Sequence, residues 1–152
     1  MRRKDREITD TVDMLDILKR CDVLRIAMSG DGQPYVVPVS FGLDVQDGRI
    51  RLYFHGACAG MKRDMIERNA RVCVEADIFH GYRQVGRDIT CAYESVIGFG
   101  SARLLDGDAA RHGLEAIVRH CGFEGYDAGA CSAHTAVYEI ALDSITGKRN
   151  LL

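Results

Sequence analysis

Residues 56–64, GACAGMKRD, combine two glycines, a cysteine and a lysine at what reads as a loop-to-helix junction. Glycine-rich backbone entering a helix leaves N–H groups free, and with the helix dipole these attract an anion such as phosphate. Lys62 adds a point charge. His55 precedes the turn, where an imidazole could touch a ligand or supply a proton near a bound ring. A plain junction with solvated charges, and a structural histidine at a strand end, are the competing readings. The phosphate-loop pattern G-x-x-x-x-G-K-[ST] nearly appears over residues 56–63. However, Met61 separates Gly60 from Lys62, Arg63 stands where Ser or Thr is needed, and the flanking βαβ unit is missing, so triphosphatase chemistry is excluded.

Further candidates lie toward the C-terminus. Glu94 and Ser95 open a long apolar strand, where Ser95 could donate to a cofactor heteroatom. Lys148 and Arg149 follow the last strand, either as surface charges or as groups reaching across a dimer interface. His112, His120 and His134 are scattered, with no H-E-x-x-H pair to hold a catalytic metal. No G-x-S-x-G elbow supplies a serine nucleophile. Cys21, Cys58, Cys73, Cys91, Cys121 and Cys131 show no metal-ligand spacing and are expected to be reduced and semi-buried. Cys58, inside the glycine-rich turn, is the most reactive candidate among them.

The elements that must position these residues are mostly strands. Residues 34–55, PYVVPVSFGLDVQDGRIRLYFH, hold two apolar runs joined at Asp47-Gly48, a strong hairpin signal. Tyr35, Val37, Val39, Phe41 and Leu43 alternate with Val36, Pro38, Ser40 and Gly42. The first set is expected to face a core, and the second leaves room for something flat. Tyr53 and Phe54 alternate on the return strand. Strands are also expected at residues 23–28, 71–79, 93–105 and 135–146, with Asp31-Gly32 as a second hairpin turn. Gly98 and Gly100 suggest a bulge or a close backbone approach. Helices are expected at residues 9–21 with Asp10 as N-cap, at 58 or 60 to 68, and from 106 or 108 to about 121. Residues 80–88 read as a loop, and residues 122–133 as irregular with one helical turn. Six strands in hairpins with two or three helices predict a mainly β protein, a small antiparallel barrel with peripheral helices.

The chain has 152 residues, 47% hydrophobic and 28% charged, with a formal net charge of -2. That fits one domain spanning residues 1–152 and gives no electrostatic footprint for nucleic acid. No apolar stretch approaches a membrane span and no signal-peptide core opens the chain, so a cytoplasmic location is expected.

PYVVPVSF, LYFHGACAGMK, YESVIGFGSA and ITGKRN together resemble the pyridoxamine 5'-phosphate oxidase-like, flavin-binding split-barrel superfamily, and within it the nitroimidazole-resistance group. The resemblance runs from the first helix to Arg149. It implies a six-stranded antiparallel split barrel, a homodimer, and flavin at the subunit interface. It implies that Val36, Val37, Pro38, Val39 and Ser40 line the flavin ring through backbone groups. Tyr53, His55, Gly60 and Lys62 would hold the phosphate or adjoin the ring, and His55 would contact substrate. Glu94 and Ser95 would approach the flavin from their strand, and Arg149 would reach the partner's site. The expected cofactor is FMN, with FAD an alternative; relatives also use deazaflavin or haem. The expected activity is reduction of a small electrophile or nitroaromatic. The alternatives are a flavin-binding or electron-transfer module without turnover, and a haem-binding barrel using His55, His80 or His134. The tail KRNLL lacks the arginine-histidine signature of true pyridoxamine phosphate oxidases, so vitamin B6 oxidation is not expected.

Overall fold

The computed structural model describes residues 3–30, 32–123, 125 and 135–151. Among them, eight antiparallel strands form one curled sheet, with three helices packed on it. After a 3-10 turn at Lys4–Arg6 come β1 (Glu7–Ile8), α1 (Thr11–Arg20), β2 (Leu24–Gly30), β3 (Gln33–Val39), β4 (Phe41–Gln46), β5 (Arg49–Ala57) and α2 (Met61–Arg68). β6 (Arg71–Val85), β7 (Asp88–Leu105), α3 (Gly107–His120) and β8 (Thr135–Asn150) complete the chain. The strand order is β3-β2-β6-β7-β8-β5-β4, with β1 pairing β8. Consecutive strands β3 and β4 therefore sit at opposite edges, and Ser40 between them is where the sheet closes on itself.

That closure accounts for the difference from six strands. The apolar run of residues 34–43 breaks at Ser40, because Val39 pairs Leu24 while Phe41 pairs Phe54. The other extra strand is Glu7–Ile8, two residues long and too short to leave a sequence signal. The expected alternation holds: Tyr35, Val37 and Val39 pack on the core, while Val36, Pro38 and Ser40 are exposed. Asp47 and Gly48 make the β4–β5 turn with φ of 53° and 73°, as a primed turn requires. Asp31 and residues 126–134 lie outside the described residues, so part of the second hairpin turn and most of the irregular stretch before β8 are not compared.

The helices plug and flank the barrel. Asp10 caps α1, its carboxylate accepting from Val12 N at 2.8 Å. Met14, Ile17 and Leu18 of α1, and Met65 and Ile66 of α2, enter the same core as Ile26, Phe41, Leu52, Phe54 and Ile140. Val12 and Met61, expected on the inward stripes, are exposed; each lies in the first turn, away from its helix's buried face. α3 lies outside the barrel, with Ala116 and Ile117 on Tyr53, Leu105 and Val137. Cys121, expected on that face, is exposed one residue past the helix end. Gly42 lets α3 come close, since a Cβ there would stand 2.3 Å from the Ala116 carbonyl carbon.

Residues 80–88 are not a loop. β6 and β7 continue past the barrel as a two-stranded arm that turns at residues 86 and 87. Both arm faces meet solvent, which removes the alternation that would have marked strands. A bulge between Phe79 and Gly81 leaves His80 unpaired in the ladder. A second register shift falls between Phe99 and Gly100, where a Gly100 Cβ would stand 2.3 Å from the Ala141 oxygen, so the expected close approach is met.

The base of the arm is tied to α1 and to the last strand by one carboxylate. Glu94 is 3% exposed. It accepts from Arg20 Nη1 and Nη2 at 2.8 and 3.1 Å and from Arg149 Nε at 2.8 Å, and lies 3.0 Å from His80 Nε2. The Arg20 hydrogen bonds, against the cost of burial and with help from His80 and Arg149, hold the Glu94 carboxyl down at about 2. Because the folded value is lowered, the contribution to stability is complete above the ordinary carboxylate range and is lost as pH falls from about 4.5 through about 2. Glu94→Gln is expected to cost about 2–3 kcal/mol at neutral pH and to flatten the loss of stability on acidification, read from urea unfolding midpoints at several pH values. Gly42→Ala is expected to cost about 2–3 kcal/mol by the same measurement, because only lifting α3 relieves the contact.

Candidate functional site

The turn between β5 and α2 puts its polar groups at one mouth of the barrel. Gly60, with φ of 125° and ψ of 171°, stands just before α2 and offers no side-chain cap. The first N–H groups of α2 therefore lack a capping side chain, as an anion site needs. Arg63 folds back to donate to the Cys58 carbonyl and pairs Glu67 at 2.7 Å.

Lys62 lies half-buried along the turn. Its Nζ is 3.5 Å from the His55 carbonyl and 5.2 Å from the centre of the Phe54 ring. A Cβ on Gly56 would come within 2.7 Å of that ammonium, so glycine leaves the space it occupies. No carboxylate pairs with Lys62 among the described residues, and burial lowers its pKa. The ammonium is thus weakly satisfied and suited to an incoming anion. Beneath the turn, Tyr138 is 2% exposed and stacks on Phe54 at 4.9 Å with 7° between the rings. Its phenol oxygen is buried without a hydrogen-bond partner.

Ser40 and His55 meet at the barrel closure. Phe41 pairs Phe54, and one further step of that register sets Ser40 opposite His55. Both are exposed. The edge strand β3 therefore runs alongside the end of β5 and the lysine turn. From there the outer face of β3, β2, β6 and β7 spreads without a helix over it. Val36, Ala27, Cys73 and Phe99 form one row across the four strands. Val36, Ile97 and Phe99 are 55%, 42% and 50% exposed. Single exposed apolar residues mean little, but a row across four strands marks a surface that expects a cover. Arg25 pairs Glu75 at 2.9 Å and Asp77 at 2.6 Å on the same face.

The expected site residues divide by this geometry. Ser40, His55, Gly60 and Lys62 lie at the closure and the turn, while Val36 and Pro38 lie on the exposed side of β3 that leads away from it. Val37 and Val39 point their side chains to the core and can offer only backbone. Ser95, paired with Asp77 and Lys148, stands at the far side of the open face. Glu94 and Arg149 do come together, but with each other: Arg149 holds Glu94 and lies 3.6 Å from Asp13. Neither offers a free charge to a cofactor in this protomer. Tyr53 is 1% exposed beneath α3. Its phenol bonds Asp44 at 3.2 Å, and burial beside that carboxylate raises its pKa. The odd residues of β5 face outward, and α3 covers that side as far as Tyr53, leaving His55 free. His80, a candidate axial ligand, is engaged by Glu94; His134 lies outside the described residues. Among the described residues no helix is long and apolar enough to cross a membrane. The orphaned Tyr138 phenol and the Gly56 gap escaped the sequence reading, and only a packing contact could have revealed either.

Solved structures share this architecture. A candidate 5-nitroimidazole antibiotic resistance protein from Bacteroides thetaiotaomicron is 27% identical, with a TM-score of 0.79 over 93% of this chain and 85% of its own. A FAD-binding protein from Mesorhizobium loti is 25% identical, with a TM-score of 0.67 over 95% of this chain and 97% of its own. A FAD and haem binding protein from Mycobacterium smegmatis is 21% identical, with a TM-score of 0.79 over 95% of this chain and 73% of its own, and supports the fold alone. No curated protein matches in sequence. The profile of the pyridoxamine 5'-phosphate oxidase family matches residues 10–149. The chain belongs to that family and shares its split-barrel fold with the FAD-binding relative.

Proposed function

We propose that this protein is a homodimeric flavin-dependent oxidoreductase that reduces a small electrophile, with nitroaromatics as the leading substrate class. The observation that carries the reading is Lys62: a half-buried ammonium with no carboxylate partner among the described residues, beside an uncapped helix start and at the end of an uncovered sheet face. Those features fit a phosphate with a flat ring attached. One lysine and one helix start suit the single phosphate of FMN better than the two of FAD. The exposed row from Val36 to Phe99 favours a second copy packed face to face, with the ring in the seam. The nitroimidazole link of the Bacteroides relative supports the substrate class.

Bound flavin supplies the electron-transfer chemistry. The chain's own part is to hold and orient. Lys62 and the first N–H groups of α2 hold the phosphate. Backbone groups along residues 36–40, on the free edge of the sheet, line the ring. His55, exposed beside Ser40, holds a proton on its imidazole for the reduced substrate. Arg149 is committed to Glu94 and Asp13, which argues against its gripping a vitamin B6 phosphate within its own protomer.

The purified protein is expected to be yellow or to take up added FMN. Lys62→Ala is expected to weaken FMN binding about tenfold or more with an unchanged circular dichroism spectrum, read by fluorescence titration. Anaerobic reduction with NADH or NADPH, followed by a nitroimidazole, is expected to restore the oxidised absorbance. Reoxidation only by a protein partner would favour an electron-transfer module, and a colourless protein that takes up no flavin would end the reading.

A further inference from the structure

We propose a second binding site, apart from the lysine turn, that takes a small carboxylate with a flat apolar body. It is the groove between α1 and α3, above β4, with a volume of about 450 Å³. That size suits a small-molecule ligand. Leu15, Leu43 and Ala116 make an apolar floor, with Val45, 49% exposed, at one side.

Lys19 and Arg119 stand on the rim, one from each helix. Arg20, Arg25, Arg51, Arg63, Arg103 and Arg149 each hold a carboxylate oxygen at 3.1 Å or closer. Lys19 and Arg119 hold none among the described residues. The one carboxylate in the wall, Asp44, is already taken: His112 Nε2 is 2.6 Å from it, Gln46 donates at 3.1 Å and Tyr53 at 3.2 Å. Two unpaired cations over an apolar floor are complementary to an amphipathic anion.

The walls are fixed before any ligand arrives. His120 Nε2 lies 2.8 Å from the Cys21 carbonyl, binding the end of α3 to the end of α1. The same ring packs on Phe41 at 4.4 Å between centroids. Gly42 seats α3 on β4 at the closest distance the backbone allows. Lys19 and Arg119 also lie in the last turns of their helices, where a cation suits the dipole. That role alone would need no groove between them and no apolar floor, and it makes a different prediction.

The test is a titration of the isotope-labelled full chain with indole-3-acetate, followed by amide chemical shifts. Saturable shifts are expected at Leu15, Lys19, Leu43 and Arg119. The double reversal Lys19→Glu with Arg119→Glu is expected to weaken binding about tenfold or more, and indole, which lacks the carboxylate, to bind at least about tenfold more weakly. Lys62→Ala is expected to leave the titration unchanged. Should the double reversal fail to fold, Lys19→Gln and Arg119→Gln singly are expected to weaken binding severalfold. Non-saturating shifts, shifts centred on residues 56–62, or equal binding of indole and indole-3-acetate would overturn the proposal. So would charge variants that lose thermal stability while binding the probe as before, the outcome that a dipole role predicts.

Discussion

The constraint on which this structure depends is the closure at Ser40. β3 and β4 are separated by one residue, yet each pairs with a strand at a different end of the sheet path. A sheet whose ends are joined by a single residue must curl, and the curl encloses the core that residues of α1 and α2 also enter. The same step sets the exposed side of β3 beside His55 and the lysine turn. The candidate site is thus a by-product of how the barrel shuts. Its position follows from register, while its chemistry follows from the few polar side chains that register delivers there.

Placing two arginines and a histidine around one buried carboxylate is the second organising choice. Glu94 gathers Arg20 from α1, His80 from the bulge in β6 and Arg149 from β8. Burying a charge is costly unless it is paired and hydrogen-bonded, and here both conditions are met several times over. The bulge has two effects. It leaves His80 out of the ladder, and it keeps Tyr82 on the side of Phe79, against which its ring packs edge-on at 5.1 Å. The arm's apolar side thereby continues the open face rather than opposing it.

Much of this was legible in the residues. Asp47-Gly48, Asp10, the alternation of residues 35–43 and the glycines at 98 and 100 each left a local signal, and each is met. What failed were features decided at a distance. Residues 81–85 and 88 pair as strands although they lack one buried face, so no period-2 pattern marks them. The break at Ser40 is invisible locally, because the extended run continues and only its partner changes. Glu94 and Arg149 were singled out as charged groups near a cofactor. Their mutual pairing depends on a registry between β7 and β8 that one sequence does not announce. Tyr53 is covered by α3, a long-range contact that no local pattern marks. The lysine turn was readable because its signal is compact, with glycines, a helix start and a cation inside nine residues.

The place of β8 in the strand order has a consequence for synthesis. The last of the described strands in chain order lies between β7 and β5. Until it emerges, the growing chain holds two separate pieces, β3-β2-β6-β7 and β4-β5, with no ladder joining them. Nascent protein must therefore wait with two strand edges unpaired, and the barrel is completed only when residues 135–150 insert between them. A chain stopped before residue 135 would carry all the other described strands of the sheet and no closed core.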